Sequence, residues 1–132
     1  MHGLHLTADL RDCPVGRDVM TKPEALRAAC LDAVRAAGLQ PVGELFHRFA
    51  PAAALPRAAT ATVAITGITG VVLLAESHLA VHTWPELEAA TLDVYVCNLG
   101  ADNSARAERL MESLLVAFAP TRIERHAHRR GQ

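Results

Sequence analysis

The chain has 132 residues and a mass of 14.1 kDa, which suits one domain, since a single core organises roughly 100–200 residues. Hydrophobic residues make up 51% and charged residues 20%, enough apolar material for a packed core and too much for a disordered chain. Thirteen Lys+Arg stand against fourteen Asp+Glu, for a net charge of -1, so the basic excess needed to bind nucleic acid through its phosphates is missing.

In chain order, Leu4–Leu10 alternates Leu4, Leu6 and Ala8 against His5, Thr7 and Asp9, which predicts a half-buried strand. Arg11–Met20, with Asp12, Pro14 and Gly16, reads as a loop. Thr21 stands three residues before Glu24, a capping-box spacing, with Pro23 in the first turn. Leu26, Ala29, Cys30, Ala33 and Val34 then recur at helical spacing until Gly38, which predicts a helix over Lys22–Ala37. Pro41–Phe49 reads as a second strand, and the Ala/Pro-rich Ala50–Ala61 as a loop. Thr62–Thr66 could extend a strand, but Gly67 and Gly70 interrupt it.

Gly70–Ala75 is a continuous apolar run, and Leu79–Thr83 a short strand after it. Trp84-Pro85-Glu86 reads as a turn, and Leu92–Asn98 alternates cleanly. Asn103 or Asp102 can cap a helix running to about Phe118, with Leu110, Met111, Leu114, Leu115 and Phe118 inward. A last strand is expected over Thr121–Arg125, followed by a basic, solvated tail. Strands that follow one another this closely leave no room for helical crossovers. The expected fold is therefore α+β: an antiparallel sheet with two helices on one face, sandwich-like, dimerising through the sheet.

No apolar run approaches the roughly 18–20 residues that span a bilayer, and the Met1–Asp9 opening lacks a basic segment followed by an apolar one. A soluble cytoplasmic domain is expected, without membrane or nucleic acid partners. The three cysteines, Cys13, Cys30 and Cys97, are odd in number and widely spaced, which argues against a disulfide framework. No CxxC pair occurs and the seven His lack a ligand rhythm, so no metal is expected. Cys13 and Cys30 read as small buried hydrophobes.

The polar density of Ala75–Glu86 stands out. A hydroxyl, two imidazoles and two carboxylates follow directly on an apolar strand, which costs desolvation unless they face a cleft. Ser77 and His82, five apart, point oppositely in an ideal strand, so their cooperation within it would need a turn or bulge.

Glu-Ser-His-Leu-Ala-Val-His-Thr-Trp-Pro-Glu at Glu76–Glu86, followed by Leu-Asp-Val-Tyr-Val-Cys at Leu92–Cys97, resembles the signature of the prokaryotic S-adenosylmethionine decarboxylase proenzyme family. The resemblance extends to Gly67–Val72, Phe46–Phe49 and His5–Cys13 and so covers most of the chain, as one domain over residues 1–132. It implies a precursor that cleaves itself between Glu76 and Ser77, into a β chain of residues 1–76 and an α chain of residues 77–132. It implies a pyruvoyl group made from Ser77, which forms a Schiff base with the substrate amine and accepts the electrons freed as carbon dioxide leaves. By the same resemblance His82 is the base in processing, and Thr69, where relatives often carry Ser, assists it. Cys97 is the proton donor to the substrate; a free thiol, titrating near about 8.5, suits that role.

Phe49 matches an aromatic that stacks on adenine, and Glu86 a carboxylate that holds the ribose hydroxyls. The product would be the aminopropyl donor for spermidine, made by a homodimer of cleaved chain pairs whose sites draw on both protomers. Three stretches depart from the family pattern: the long Ala50–Thr66 segment, the Asn98-Leu99-Gly100 and Asp102–Arg106 run after Cys97, and the short end after the last strand. A pyruvoyl-dependent L-ornithine or L-arginine decarboxylase of the same family, or a non-catalytic partner of a paralogue, are the alternative readings.

Overall fold

A computed structural model describes residues 1–49 and 66–131. Alternation of apolar and polar residues lays down the strands: β1 (Gly3–Arg11), β2 (Pro41–Arg48), β3 (Ile68–Leu74), β4 (Ser77–Trp84), β5 (Ala89–Cys97) and β6 (Arg122–Arg130). They form one sheet in the order β2-β3-β4-β5-β1-β6, and every neighbouring pair is antiparallel. Helices α1 (Asp18–Thr21), α2 (Pro23–Ala36) and α3 (Ser104–Phe118) cover one face.

The core lies between that face and the helices. Leu6, Leu10, Val72, Leu79, Val81, Leu92 and Val94 come from the strands; Leu26, Cys30, Val34, Leu110, Met111, Leu114 and Phe118 come from α2 and α3. Each fully buried aliphatic side chain contributes about 1.5–3 kcal/mol, so this single stripe on each helix is what holds it to the sheet. The opposite face is open. There the outward residues of the same strands, among them His5, Thr69, His82, Thr91 and Tyr95, remain half-buried or exposed.

The α+β architecture agrees with the sequence reading, with four local corrections. Three helices are present rather than two, because Asp18–Thr21 forms a short turn that buries Met20. The Thr21–Glu24 capping box does not form. Lys22 holds the N-cap of α2 without a side-chain bond, since Thr21 belongs to α1 and its carbonyl accepts from Arg48. The Trp84-Pro85-Glu86 turn is a 3-10 turn over Pro85–Leu87. The expected solvated tail is strand: β6 runs to Arg130 because it pairs with β1 along its whole length, though all nine of its residues are exposed. Of Ala50–Thr66, only Thr66 falls among the described residues.

Candidate active site

The β3–β4 hairpin presents the Glu76-Ser77 pair. Leu74 pairs with Ser77, so Ala75 and Glu76 alone form the loop. A loop that short demands a left-handed residue, and Glu76 supplies it at φ 59. An L-residue with a Cβ holds that conformation at a cost of about 1–2 kcal/mol. Ser77 opens β4, and its Oγ accepts a hydrogen bond from the backbone N–H of Cys97 at 3.1 Å. Cys97 is the last residue of β5, is buried, and is unpaired with any other cysteine. Its carbonyl accepts from the Asn103 amide at 2.8 Å.

A second group sits at the other end of the same strands. Thr69 lies opposite His82 in the β3–β4 register, with Thr69 Oγ1 3.2 Å from His82 Nδ1. The His82 ring stacks on Trp84, centroids 5.8 Å apart. Beneath them Thr83 is fully buried; its hydroxyl donates to the Met20 carbonyl and accepts from the Ile68 N–H, each at 3.0 Å. Glu86 is exposed on the 3-10 turn that follows β4. Phe49 follows β2, its N–H bonded to the Gly67 carbonyl. The Phe49 ring covers Gly67 so closely that a Cβ there would lie 2.2 Å from it and 2.0 Å from the Thr83 carbonyl oxygen. That is the physical reason for glycine at this position.

The seven residues singled out in the sequence therefore fall into two clusters: Glu76 and Ser77 with Cys97, and Thr69 with His82, Glu86 and Phe49 near the opposite end. Ser77 and His82 are five residues apart on an extended strand, which is about 16–17 Å at 3.2–3.4 Å per residue. The bulge that would let them cooperate is absent: β4 keeps its register with both neighbours from one end to the other. Within one chain the two clusters do not meet.

The remaining cysteines are inert by environment. Burial pushes the Cys30 thiol up to about 12, and burial, aided by the charges of Asp12 and Glu88, pushes Cys13 up to about 11. Sequence reasoning offered Asn103 only as a helix cap and gave Arg106 no role; the other signal for them was their place in a stretch that departs from the family pattern.

A family model described as S-adenosylmethionine decarboxylase matches residues 4–131. The chain belongs to this family. It is 36% identical over 129 residues to an S-adenosylmethionine decarboxylase proenzyme of Aquifex aeolicus, covering 98% of this chain and 81% of the relative. The proenzyme of Archaeoglobus fulgidus is 30% identical over 98% of this chain and 97% of the relative. Among solved structures, the adenosylmethionine decarboxylase of Aquifex aeolicus superposes with a TM-score of 0.79 at 35% identity, over 98% of this chain and 91% of that one. An AdoMetDC monomer from Trypanosoma brucei shares the fold, at a TM-score of 0.52 and 12% identity, over 94% of this chain and 44% of that one. No helix among the described residues of this family member is long and apolar enough to cross a membrane.

Proposed function

We propose that this chain is a self-processing, pyruvoyl-dependent S-adenosylmethionine decarboxylase that makes the aminopropyl donor for spermidine. The observation that carries the reading is Ser77 at the hairpin tip, directly after a left-handed Glu76 and with its hydroxyl held by the Cys97 N–H. The residues fit a group made in place. The bond to be cut lies in a two-residue loop, and the nucleophile is covalently adjacent to the carbonyl it attacks.

In this reading Ser77 Oγ attacks the Glu76 carbonyl carbon. A C–O bond forms, the C–N bond breaks, and the freed nitrogen takes up the hydroxyl proton. Loss of the Ser77 Cα proton then expels the Glu76 carboxylate. The dehydroalanine left behind takes up water and loses ammonia, which leaves a ketone on the second chain. A pyruvoyl group supplies an electron sink for an amino acid losing carbon dioxide.

His82 and Thr69 serve processing, and Cys97 returns a proton to the substrate α-carbon. Phe49 stacks on adenine and Glu86 holds the ribose hydroxyls. The separation of the two clusters supports a homodimer in which the Thr69–His82 end of one protomer serves the Ser77 end of its partner. A two-fold pairing of the open sheet faces that reverses strand direction would achieve this. The three free cysteines suit a reducing compartment, hence the cytoplasm.

Two measurements test the proposal. Intact mass of purified protein should give two fragments meeting between Glu76 and Ser77, while Ser77→Ala should remain one species. An uncut wild-type chain would instead favour a non-catalytic partner. Carbon dioxide release should follow from labelled S-adenosylmethionine; release from ornithine or arginine alone would reject the substrate.

A further inference from the structure

The stretch after Cys97 forms a closed set of hydrogen bonds at the Ser77 end of the sheet. Asn103 Nδ2 donates to the Cys97 carbonyl at 2.8 Å, and Arg106 Nη1 donates to Asn103 Oδ1 at 2.7 Å. The Asn103 N–H donates to Asn98 Oδ1 at 2.8 Å, and the Asn98 N–H to the His2 carbonyl at 2.7 Å. Asn103 occupies the N-cap of α3, yet its side chain makes no capping bond. Asn is among the best capping residues, but here the Asp102 carboxylate accepts the Ser104 N–H at 2.9 Å in its place. The Asn103 side chain is engaged on the Cys97 carbonyl instead.

An amide has two ends, and only one can donate to a carbonyl. Arg106 decides which. Its guanidinium can only donate, so it takes the amide oxygen and turns the NH2 toward Cys97. Arg106 is in turn seated over Gly38, where a Cβ would lie 3.3 Å from its Nε. The carbonyl so held and the N–H that donates to Ser77 Oγ at 3.1 Å sit on the two sides of the same residue, Cys97, in adjacent peptides.

We propose that Asn103, with its orientation set by Arg106, is a positioning residue that fixes the end of β5 so that the Cys97 N–H holds the Ser77 hydroxyl for self-cleavage. The inference rests on the processing role given to Ser77 above. It acts through the backbone and needs no contact between Asn103 and the reacting atoms.

Asn103→Asp is the discriminating change. It keeps the shape, a favoured capping residue and the acceptor for Arg106, but removes the donor to the Cys97 carbonyl. Self-cleavage should slow about tenfold, in line with the loss expected from a small misplacement of reacting groups. The unpaired Cys97 carbonyl should cost some thermal stability, so the rate is read well below the melting temperature, where the chain is fully folded and a merely structural role would leave the rate unchanged. Arg106→Met, which frees the amide to turn, should slow cleavage about threefold, and Arg106→Lys should recover most of the rate.

Cleavage at the wild-type rate in both Asn103→Asp and Arg106→Met would overturn the proposal. Should Asn103→Asp not fold, the Arg106 pair alone decides: equal rates for Met and Lys would reject it. The clamp can also be read without cleavage, from the rate and pH profile of Cys97 alkylation by iodoacetamide in the intact Ser77→Ala chain. There Asn103→Asp should change the profile, and an unchanged one counts against the clamp. A wild-type chain that never cuts would sink the function instead, and leave this alkylation measurement to judge the clamp alone.

Discussion

The two ends of the sheet are built on different principles. At one, Ser77 is held by main chain: its hydroxyl meets the Cys97 N–H, and the Cys97 carbonyl, in the next peptide, is pinned by Asn103. At the other, Thr69 and His82 form a side-chain pair on the open face, over the buried anchor Thr83. In the proposed function the first end carries the bond to be cut and the Cys97 thiol. The second offers an imidazole and a hydroxyl without a bond to cut. The difference teaches that one chain keeps the two groups at opposite ends of a strand, which is why the proposed homodimer joins them.

The largest effect should come from mixing chains. His82→Ala and Ser77→Ala chains should each stay uncut alone. Co-expressed, the His82→Ala chain should be cleaved, because its partner brings an intact His82 to its Ser77. No cleavage in the mixture would break the division of labour between the ends. Next, Cys97→Ala should still be processed but turn over S-adenosylmethionine roughly 10²-fold or more slowly, the range for losing a proton-transfer group; kcat of the cleaved protein measures it.

Thr83→Val keeps the shape but leaves the Met20 carbonyl and Ile68 N–H without a partner in the core. Chemical denaturation should show a loss of about 2–3 kcal/mol, and the Thr69–His82 end should loosen before the Ser77 end does.

The smallest effect concerns β6. The hydrogen bond from Arg122, then that from Thr121, holds the Asp12 carboxyl below its ordinary value of 3.8. A carboxylate lowered on folding stabilises above its unfolded value and ceases to do so as pH falls through its folded value. Asp12 is exposed, so the effect is slight. The urea midpoint of Asp12→Asn should lie slightly below wild type at neutral pH and converge with it as pH falls below 3.8 through the lowered folded value.

Much of this was legible in the sequence, for identifiable reasons. The buried sides of β1, β5 and α3 follow from strict periodicity, and Leu110, Met111, Leu114, Leu115 and Phe118 all lie inward as their spacing requires. The glycines that interrupt the reading of β3 are the opposite case. Gly70 lies within the strand because the Phe46 ring occupies the space of a Cβ, 2.2 Å away, a contact no local pattern reports. β6 was half legible: its Arg- and His-rich second half has little intrinsic strand preference and is extended only because β1 offers an edge. The candidate site residues come from a motif, and their placement at two ends of the sheet was only hinted at, by the opposite parity of Ser77 and His82.

The strand order has a consequence for what a cut at the hairpin tip would leave. β1 lies between β5 and β6, so the piece ending at Glu76 threads a strand through the middle of the piece beginning at Ser77. Neither piece can leave without stripping a ladder from both sides of β1 and opening the shared core. The two products of the cut would remain interlocked, parting only when the whole molecule melts. Reassembly would then be a bimolecular encounter, slower on dilution, where the uncut precursor folds as a single thread.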